Sequence, residues 1–280
     1  ICINNLQKKL FYPFYLRNII YQGTTVSHNY KILVSTGCSF TAEYNKWNQF
    51  TAEGLNIPYV NYARSAAGNA HISRSLVYGV YKALETYDPS EILVGIMWSG
   101  KDRYDNYHAD LSVHKFKNKP MYNFVEEDPT GGYVRIPHDN PDWYSAPFFR
   151  LYYDEVGACI HTFDQILKAQ WLLESHNIQY FMTCYDLSVL PEEELTDHPS
   201  LKHLKAMINW DKFLPVNNCF DWCVKSGIPG YFPDEPSRLA GEDNPNKILQ
   251  VAATHPTPQQ QQGFAEQVIL PFLLEKYNIS

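Results

Sequence analysis

Short apolar runs that alternate with helix-like segments are the feature that most restricts the fold of this chain. Strands are predicted at residues 32–35, 57–62, 91–98 and 178–184, because each is a short run of buried-type residues bounded by turn residues. Strands separated by helices at this spacing pair in parallel through right-handed crossovers. The pattern therefore predicts an α/β fold with a mostly parallel sheet.

The helices are predicted from apolar residues that recur every three or four positions. Between the second and third strands, for example, Ile72, Leu76, Val80 and Leu84 fall on one face. The predicted helices cover residues 47–55, closed by Gly54, and residues 70–86, 152–176, 201–209 and 259–276.

Two long segments, at about residues 104–150 and 186–250, interrupt this pattern. Loops of this length within a compact domain are usually functional or form small subdomains. Aromatic residues make up 15% of the 280 residues, and many of them fall in loop-like stretches. These aromatics are expected to line a carbohydrate site or a protein interface or, equally, to pack the insertions onto the body.

The charge and the amino-terminal segment limit the partners of the chain. Its formal net charge is -7 with no basic block, which argues against a nucleic-acid partner. The basic and apolar residues 1–21 lack a clean signal-peptide core, and no apolar run is long enough to span a bilayer. We predict an amino-terminal arm over residues 1–30 that packs on the body or serves homo-oligomer or larger assembly contacts, followed by one domain over residues 31–280.

The six cysteines are scattered and include no CxxC pair. They are predicted to be mostly free thiols, which is typical of a reducing compartment such as the cytoplasm, or of a virion-associated protein. Neither a metal nor a cofactor is predicted.

Polar and small residues follow three of the strands, at Gly37–Ser39, Gly68–Asn69 and Trp98–Arg103, and a His255-Pro256 turn precedes the last helix. In a parallel sheet these turns gather at the carboxyl edge, where ligands bind. A hydrolytic site needs a hydroxyl nucleophile, a base and donors for the oxyanion.

Ser39 is the candidate nucleophile and His255 the candidate base. The backbone N–H groups of Ser39 and Gly68 and the Asn69 amide are the candidate oxyanion donors. Each has a plainer alternative, since Gly68 and Asn69 are also suited to starting a helix and His255 to capping one. Cys38, beside Ser39, is a weaker candidate nucleophile, because most small buried cysteines are structural.

The chain resembles the SGNH (GDSL-type) hydrolases in four blocks, which are Gly37-Cys38-Ser39-Phe40-Thr41, the Asn61–Asn69 turn, the Trp98–Arg103 strand end and Thr254-His255-Pro256. The similarity covers roughly residues 31–100 and 250–276. It implies a flavodoxin-like three-layer α/β/α sandwich around a five-stranded, mostly parallel sheet. It also implies that Ser39 attacks an ester, that Gly68 helps to form the oxyanion hole and that His255 is the base.

The first and third blocks depart from the family pattern. Cys38 stands where the family usually has Asp, and the third block has no Gly-x-Asn-Asp. Asn69 or the Ser99 hydroxyl is therefore expected to replace the family's oxyanion asparagine. Trp98, Ser99 and Arg103 are candidate substrate-binding residues, and Arg103 has the chemistry to bind a carboxylate or a phosphate or to pair with a neighbouring aspartate.

The fourth block lacks the family's acid. Ala252 stands three positions before His255, where the family usually has an aspartate. His255 must then be oriented by a backbone carbonyl or by a carboxylate from elsewhere, with Asp102 and Asp243 as candidates. In a Ser-His-Asp protease, replacing the acid lowers turnover about 10⁴-fold.

These observations favour a serine esterase that acts on O-acyl groups, most plausibly O-acetyl esters of a carbohydrate. The alternative is a catalytically degraded module with the SGNH fold, such as a virion or surface-complex component that recognises glycans. Acyl transfer by the same residues is a third reading. Fold resemblance alone does not separate these readings.

Overall fold

The structure of the chain is a computed structural model. It describes residues 28–42, 45–108, 122–123, 132–136, 145–186, 189–190, 197–216, 218–230 and 255–277. Most of the predicted amino-terminal arm lies outside the described residues, as do Asp243 and Ala252. The boundaries predicted for the arm and the domain remain predictions.

Strands and helices alternate along most of the described chain. In chain order, the elements are β1 (Ile32–Thr36), α1 (Trp47–Leu55), β2 (Tyr59–Asn61), α2 (Asn69–Leu84), β3 (Ile92–Trp98), β4 (Tyr104–His108), β5 (Tyr122–Asn123), β6 (Gly132–Ile136), α3 (Ser145–Leu151), α4 (Glu155–Ser175), β7 (Gln179–Cys184), α5 (Pro199–Met207), α6 (Cys219–Lys225), α7 (Pro258–Phe264), a π-helical turn (Ala265–Ile269) and α8 (Leu270–Tyr277).

The main sheet is parallel and has the strand order β2–β1–β3–β7. This is the order in which the first four strands of a flavodoxin-like sheet lie. The predicted α/β fold with a mostly parallel sheet is therefore confirmed. In the described part of the chain this sheet has four strands, against the five expected.

Helices cover both faces of the parallel sheet, which makes three layers. Every residue of β1 and β3 is buried, as expected for strands covered on both sides. Side chains alternate between the faces, so Ile32 and Val34 join the core under α2 and α4, whereas Leu33 joins the core under α1, α7 and α8. The carboxyl ends of β1 and β3 therefore emerge between two packed layers.

A second, antiparallel sheet occupies part of the segment predicted to lack periodicity. Its strand order is β4–β6–β5, and it begins at Tyr104, directly after the turn that follows β3. The described part of the 104–150 insertion is thus a small subdomain beside the carboxyl edge of the main sheet.

Some helix ends differ from the prediction. Gly54 lies inside α1, and the helix closes on Asn56, whose φ of 54° is left-handed. Asparagine tolerates that conformation better than most residues do. Helix α6 is not among the predicted helices. No helix in the described residues is both long enough and apolar enough to cross a membrane.

Candidate active site

Ser39 and His255 meet at the carboxyl edge of the parallel sheet. The Ser39 Oγ lies 2.8 Å from the Nε2 of His255, which is hydrogen-bonding distance. Both side chains are partly exposed, so the pair is accessible to solvent. This is the separation that proton transfer from a serine hydroxyl to an imidazole base requires.

The turn that carries Ser39 is held by its own backbone. The carbonyl of Cys38 accepts hydrogen bonds from the N–H groups of Thr41 and Ala42, both at 2.9 Å, so the chain coils as soon as β1 ends. A Cβ at Gly37 would overlap the side chain of Thr41 and lie 3.1 Å from the carbonyl of Met97. The close approach of the turn to β3 therefore requires glycine at this position.

Asn61, at the end of β2, fixes the same turn from a neighbouring strand. Its amide nitrogen donates to the carbonyl of Thr41 at 2.8 Å, and its Oδ1 accepts from the N–H of Ala63 at 3.0 Å. The Ser35 hydroxyl approaches the same Oδ1 at 3.4 Å. The side chain of Asn61 therefore links two of the turns that the sequence predicts at this edge.

His255 is positioned by the start of α7. Thr257 caps this helix, because its Oγ1 accepts from the N–H of Gln260 while the Gln260 side chain accepts from the N–H of Thr257. A reciprocal capping box of this kind fixes the path by which the chain enters the helix. The orientation of the turn at residues 255–257 thus follows from the sequence of α7.

Gln261, which is fully buried, joins α7 to the nucleophile turn. Its Oε1 accepts from the N–H of Trp47 at 3.1 Å, and its Nε2 donates to the carbonyl of Phe40 at 3.3 Å. The carbonyl of Phe40 belongs to the residue directly after Ser39. The elements that carry the serine and the histidine are therefore bonded to each other through one side chain.

A cluster of aromatic rings adjoins His255 through Phe40. The ring of Phe40 lies 5.0 Å from that of His255, and the rings of Tyr185 and Phe220 lie 5.2 and 6.4 Å from Phe40. Phe40 itself is buried, whereas Tyr185 and Phe220 are partly exposed. The site therefore has apolar surface beside its polar pair.

Two backbone N–H groups predicted to bind the oxyanion are still free to donate. Among the described residues, neither Ser39 N nor Gly68 N donates a hydrogen bond. Gly68 precedes α2, and a Cβ there would overlap the carbonyl of Arg103 and the carboxylate of Asp105. Glycine is therefore required where the turns after β2 and β3 approach one another.

Asn69 and Ser99 form an internal link between these two turns. Asn69 Nδ2 donates to the Ser99 carbonyl at 3.0 Å and to Thr162 Oγ1 at 3.2 Å, while Asn69 Oδ1 accepts from Ser99 N at 2.8 Å. Both residues are at most 1% exposed. The Asn69 amide is thus already engaged with internal acceptors, and its role as an oxyanion donor stays a prediction.

Two of the three candidate substrate-binding residues, Trp98 and Ser99, are fully buried. Trp98 is fully buried in the core, and its Nε1 points to the sulfur of Met182 at 3.2 Å. The hydroxyl of Ser99 is also buried and accepts from Arg103 Nη1 at 2.9 Å. Their role in binding a substrate stays a prediction.

Arg103 is the partly exposed member of that group. Its guanidinium lies 4.7 Å from the centre of the Tyr185 ring, within the range of a cation–π contact. Burial acts against its charged form, whereas the nearby Cys38, Tyr185, Asp102 and Asp186 act in the opposite direction and leave the pKa of Arg103 above its usual value.

Cys38 faces the core rather than His255. The Cys38 side chain is fully buried in the core under α1, whereas its neighbour Ser39 reaches His255. Asp102 makes no hydrogen bond with His255 among the described residues. Asp243, the other candidate acid, lies outside them.

His71, near the start of α2, is a buried group whose acidity is strongly shifted. Burial, with a smaller contribution from the positive charge of Arg64, lowers the pKa of His71 to about 4. The imidazole is therefore neutral at physiological pH. In the described part of the chain no group of three or more His, Cys, Asp or Glu side chains is arranged to hold a metal ion.

Comparison with known proteins gives distant structural likenesses. No family model matches the sequence, and no curated protein matches it. The structure is similar to that of a member of the lipolytic protein G-D-S-L family from Veillonella parvula DSM 2008, at 11% sequence identity and a TM-score of 0.40. The alignment covers 89% of this chain and 98% of that chain. A likeness this distant carries no argument about activity.

Proposed function

We propose that this protein is a serine esterase of the SGNH type that hydrolyses O-acyl esters. The observation that carries the proposal is the 2.8 Å contact between Ser39 Oγ and His255 Nε2 at the carboxyl edge of a parallel sheet. A hydroxyl and an imidazole in that arrangement form a nucleophile and its general base. The resemblance of the four sequence blocks to the SGNH hydrolases supports the same chemistry.

In the first half of the reaction, Ser39 Oγ attacks the ester carbonyl carbon while His255 Nε2 takes the hydroxyl proton. The carbonyl oxygen becomes an oxyanion, for which the backbone N–H groups of Ser39 and Gly68 are the proposed donors. The bond from the carbonyl carbon to the leaving oxygen then breaks. His255 returns the proton to that oxygen, so an alcohol leaves and an acyl-serine remains.

In the second half, a water molecule attacks the acyl-serine while His255 takes one of its protons. The acyl–Oγ bond breaks, the carboxylic acid leaves, and Ser39 regains its proton from His255. The O-acetyl ester of a carbohydrate is the substrate that we propose. Its support is the aromatic residues of the sequence and the partly exposed rings of Tyr185 and Phe220, which contact Phe40.

The test is hydrolysis of para-nitrophenyl acetate by the purified protein, compared with Ser39→Ala. Ser90→Ala is the matched control, because Ser90 is exposed and far along the chain from both site residues. We expect the Ser39→Ala rate to fall to background and the Ser90→Ala rate to equal that of the unchanged protein. A fluorophosphonate reagent should add its mass to the peptide that contains Ser39.

A non-catalytic binding module is the second candidate, and Ala252 is the observation that favours it. The aspartate that the family usually carries three positions before its histidine is absent, and in a Ser-His-Asp protease replacing the acid lowers turnover about 10⁴-fold. Equal rates for the unchanged protein and Ser39→Ala, across several acyl lengths and acetylated glycans, together with no fluorophosphonate labelling, would establish this second candidate instead.

A further inference from the structure

The guanidinium of Arg103, at the edge of the candidate site, has no anionic partner in the described part of the chain. It forms no ion pair with any described residue, and its side chain donates one hydrogen bond, from Nη1 to the neutral Ser99 hydroxyl at 2.9 Å. A guanidinium carries five N–H donors in a planar fork. Most of these donors therefore remain available to a ligand.

This side chain is held in place rather than free to move. Ser99 Oγ fixes one of its nitrogens, and the ring of Tyr185 lies 4.7 Å from its central carbon. The Ser99 residue is itself fixed to Asn69 through both its N–H and its carbonyl. A fork that is already ordered loses less entropy when it binds an anion.

Two aromatic rings connect Arg103 to the reacting groups. Tyr185 contacts both the guanidinium and the ring of Phe40, and Phe40 contacts His255. The carbonyl of Arg103 is the group that would overlap a Cβ at Gly68, a proposed oxyanion donor. A small molecule whose ester sits on Ser39 can therefore place a second functional group near the fork.

The acidic residues nearby do not neutralise this charge by contact. Asp102 and Asp186 are close enough for their charges to favour the guanidinium, but neither forms an ion pair with it within the described ranges. A partly buried, positively charged fork of this kind is suited to a carboxylate, which it binds through two parallel hydrogen bonds.

We propose that Arg103 binds a carboxylate of the substrate, so that the protein prefers esters that bear a carboxylate over matched neutral esters. This inference rests on the proposed esterase function, because it assigns a substrate class to the Ser39–His255 site. The carboxylate belongs either to the acyl part or to the alcohol part of the ester. In both cases the recognising chemistry is the same.

The experiment compares kcat/KM for two matched pairs of esters. Para-nitrophenyl hydrogen glutarate and its methyl ester place the anion on the acyl side, and para-acetoxybenzoate and its methyl ester place it on the alcohol side. We expect the unchanged protein to prefer the anionic member of one pair, which identifies the side. Arg103→Gln should lower that preference about tenfold to a hundredfold, because charge-assisted hydrogen bonds are lost.

The neutral esters report on folding and on the chemical step. Arg103→Gln should lower kcat/KM less on the neutral esters than on the anionic esters, since the neutral esters do not use the charge. Arg103→Lys should restore part of the preference, because it keeps the charge without the fork. Arg74→Gln, on the exposed face of α2, is the matched control and should leave the preference unchanged.

Two results would overturn the inference while the esterase function stands. One is equal rates for the anionic and neutral members of both pairs in the unchanged protein. The other is an equal loss on all four esters in Arg103→Gln, with no recovery of preference in Arg103→Lys, which would make the role of Arg103 purely structural.

Binding without turnover separates this inference from the proposed function. We expect glutarate or para-hydroxybenzoate to bind to Ser39→Ala when titrated by calorimetry. The double variant Ser39→Ala/Arg103→Gln should lose this binding. If the unchanged protein hydrolyses no ester but this binding is found, the esterase function fails and the carboxylate site stands. If neither anion binds, the carboxylate site is refuted.

Discussion

Gln261 is predicted to be the residue on which the alignment of Ser39 with His255 most depends. The change that tests this is Gln261→Met, because methionine has nearly the same length and volume but cannot make the two hydrogen bonds. The site is fully buried, so water cannot replace the lost partners.

The magnitude follows from the two groups that would lose their partners. Trp47 is the first residue of α1, and the side chain of the preceding residue, Lys46, does not cap the helix. The N–H of Trp47 instead donates to Gln261, which therefore caps α1 from a distant part of the chain. Losing a cap costs about 1 kcal/mol. Leaving the carbonyl of Phe40 buried without a donor costs about 1–3 kcal/mol more. The expected loss in the free energy of unfolding is about 2–4 kcal/mol.

The assay is urea denaturation followed by tryptophan fluorescence, together with kcat/KM for para-nitrophenyl acetate. Gln259→Met is the matched control, since Gln259 is exposed in the same helix and should change stability by less than about 0.5 kcal/mol. We expect kcat/KM of Gln261→Met to fall about tenfold or more, because small displacements of reacting groups are costly. Equal stability of the two variants would refute the reasoning.

Two further predictions concern pH and close packing. Because the folded-state pKa of His71 is about 4 and the unfolded value is about 6.5, its contribution to stability is complete above pH 6.5 and is lost as the pH falls towards 4. Lowering the pH from 7 to 4 should therefore reduce the free energy of unfolding of the unchanged protein by about 3 kcal/mol more than that of His71→Gln. Parallel curves of stability against pH for the two proteins would contradict this. Gly68→Ala should lower stability by about 1–3 kcal/mol and reduce ester hydrolysis, because its Cβ would overlap the carbonyl of Arg103. Gly230→Ala, whose Cβ would lie 3.5 Å from its nearest neighbour, is the control and should show neither effect.

The parallel sheet can be predicted because its strands are unusually distinct in the sequence. β3 consists of seven consecutive buried residues, Ile92–Trp98, and the predicted strand differs from it by one residue. A run of this kind arises only where both faces of a strand are covered. The antiparallel sheet escapes prediction because β5 has two residues and β4 reads Tyr-Asp-Asn-Tyr-His, which shows no apolar alternation.

The candidate site can be predicted in part, for a different reason. Ser39 and His255 stand in turns, where chemistry-bearing residues are conspicuous, and the structure brings their side chains into contact. The burial of Trp98 could not be predicted, because a tryptophan at the end of a strand looks the same in sequence whether it faces the core or a ligand. Only its contact with Met182 distinguishes the two.

Gln261 cannot be found from the sequence. It lies within a run of four glutamines, Gln259–Gln262, and nothing local distinguishes the one that faces the nucleophile turn. Its partners Trp47 and Phe40 are 214 and 221 residues away along the chain. Contacts of this range depend on how whole layers pack, which no local pattern encodes.

The long separation between Ser39 and His255 along the chain also determines when the candidate site forms during synthesis. Ser39 leaves the ribosome 216 residues before His255, and contacts so distant in sequence form late because a large loop must first be closed. During synthesis, the first three parallel strands can assemble while the serine still lacks its base. The proposed site is therefore complete only once the final helices have packed and brought His255 to Ser39. A chain cut between residues 184 and 255 would keep Ser39 but lack its proposed base, and we expect it to be inert.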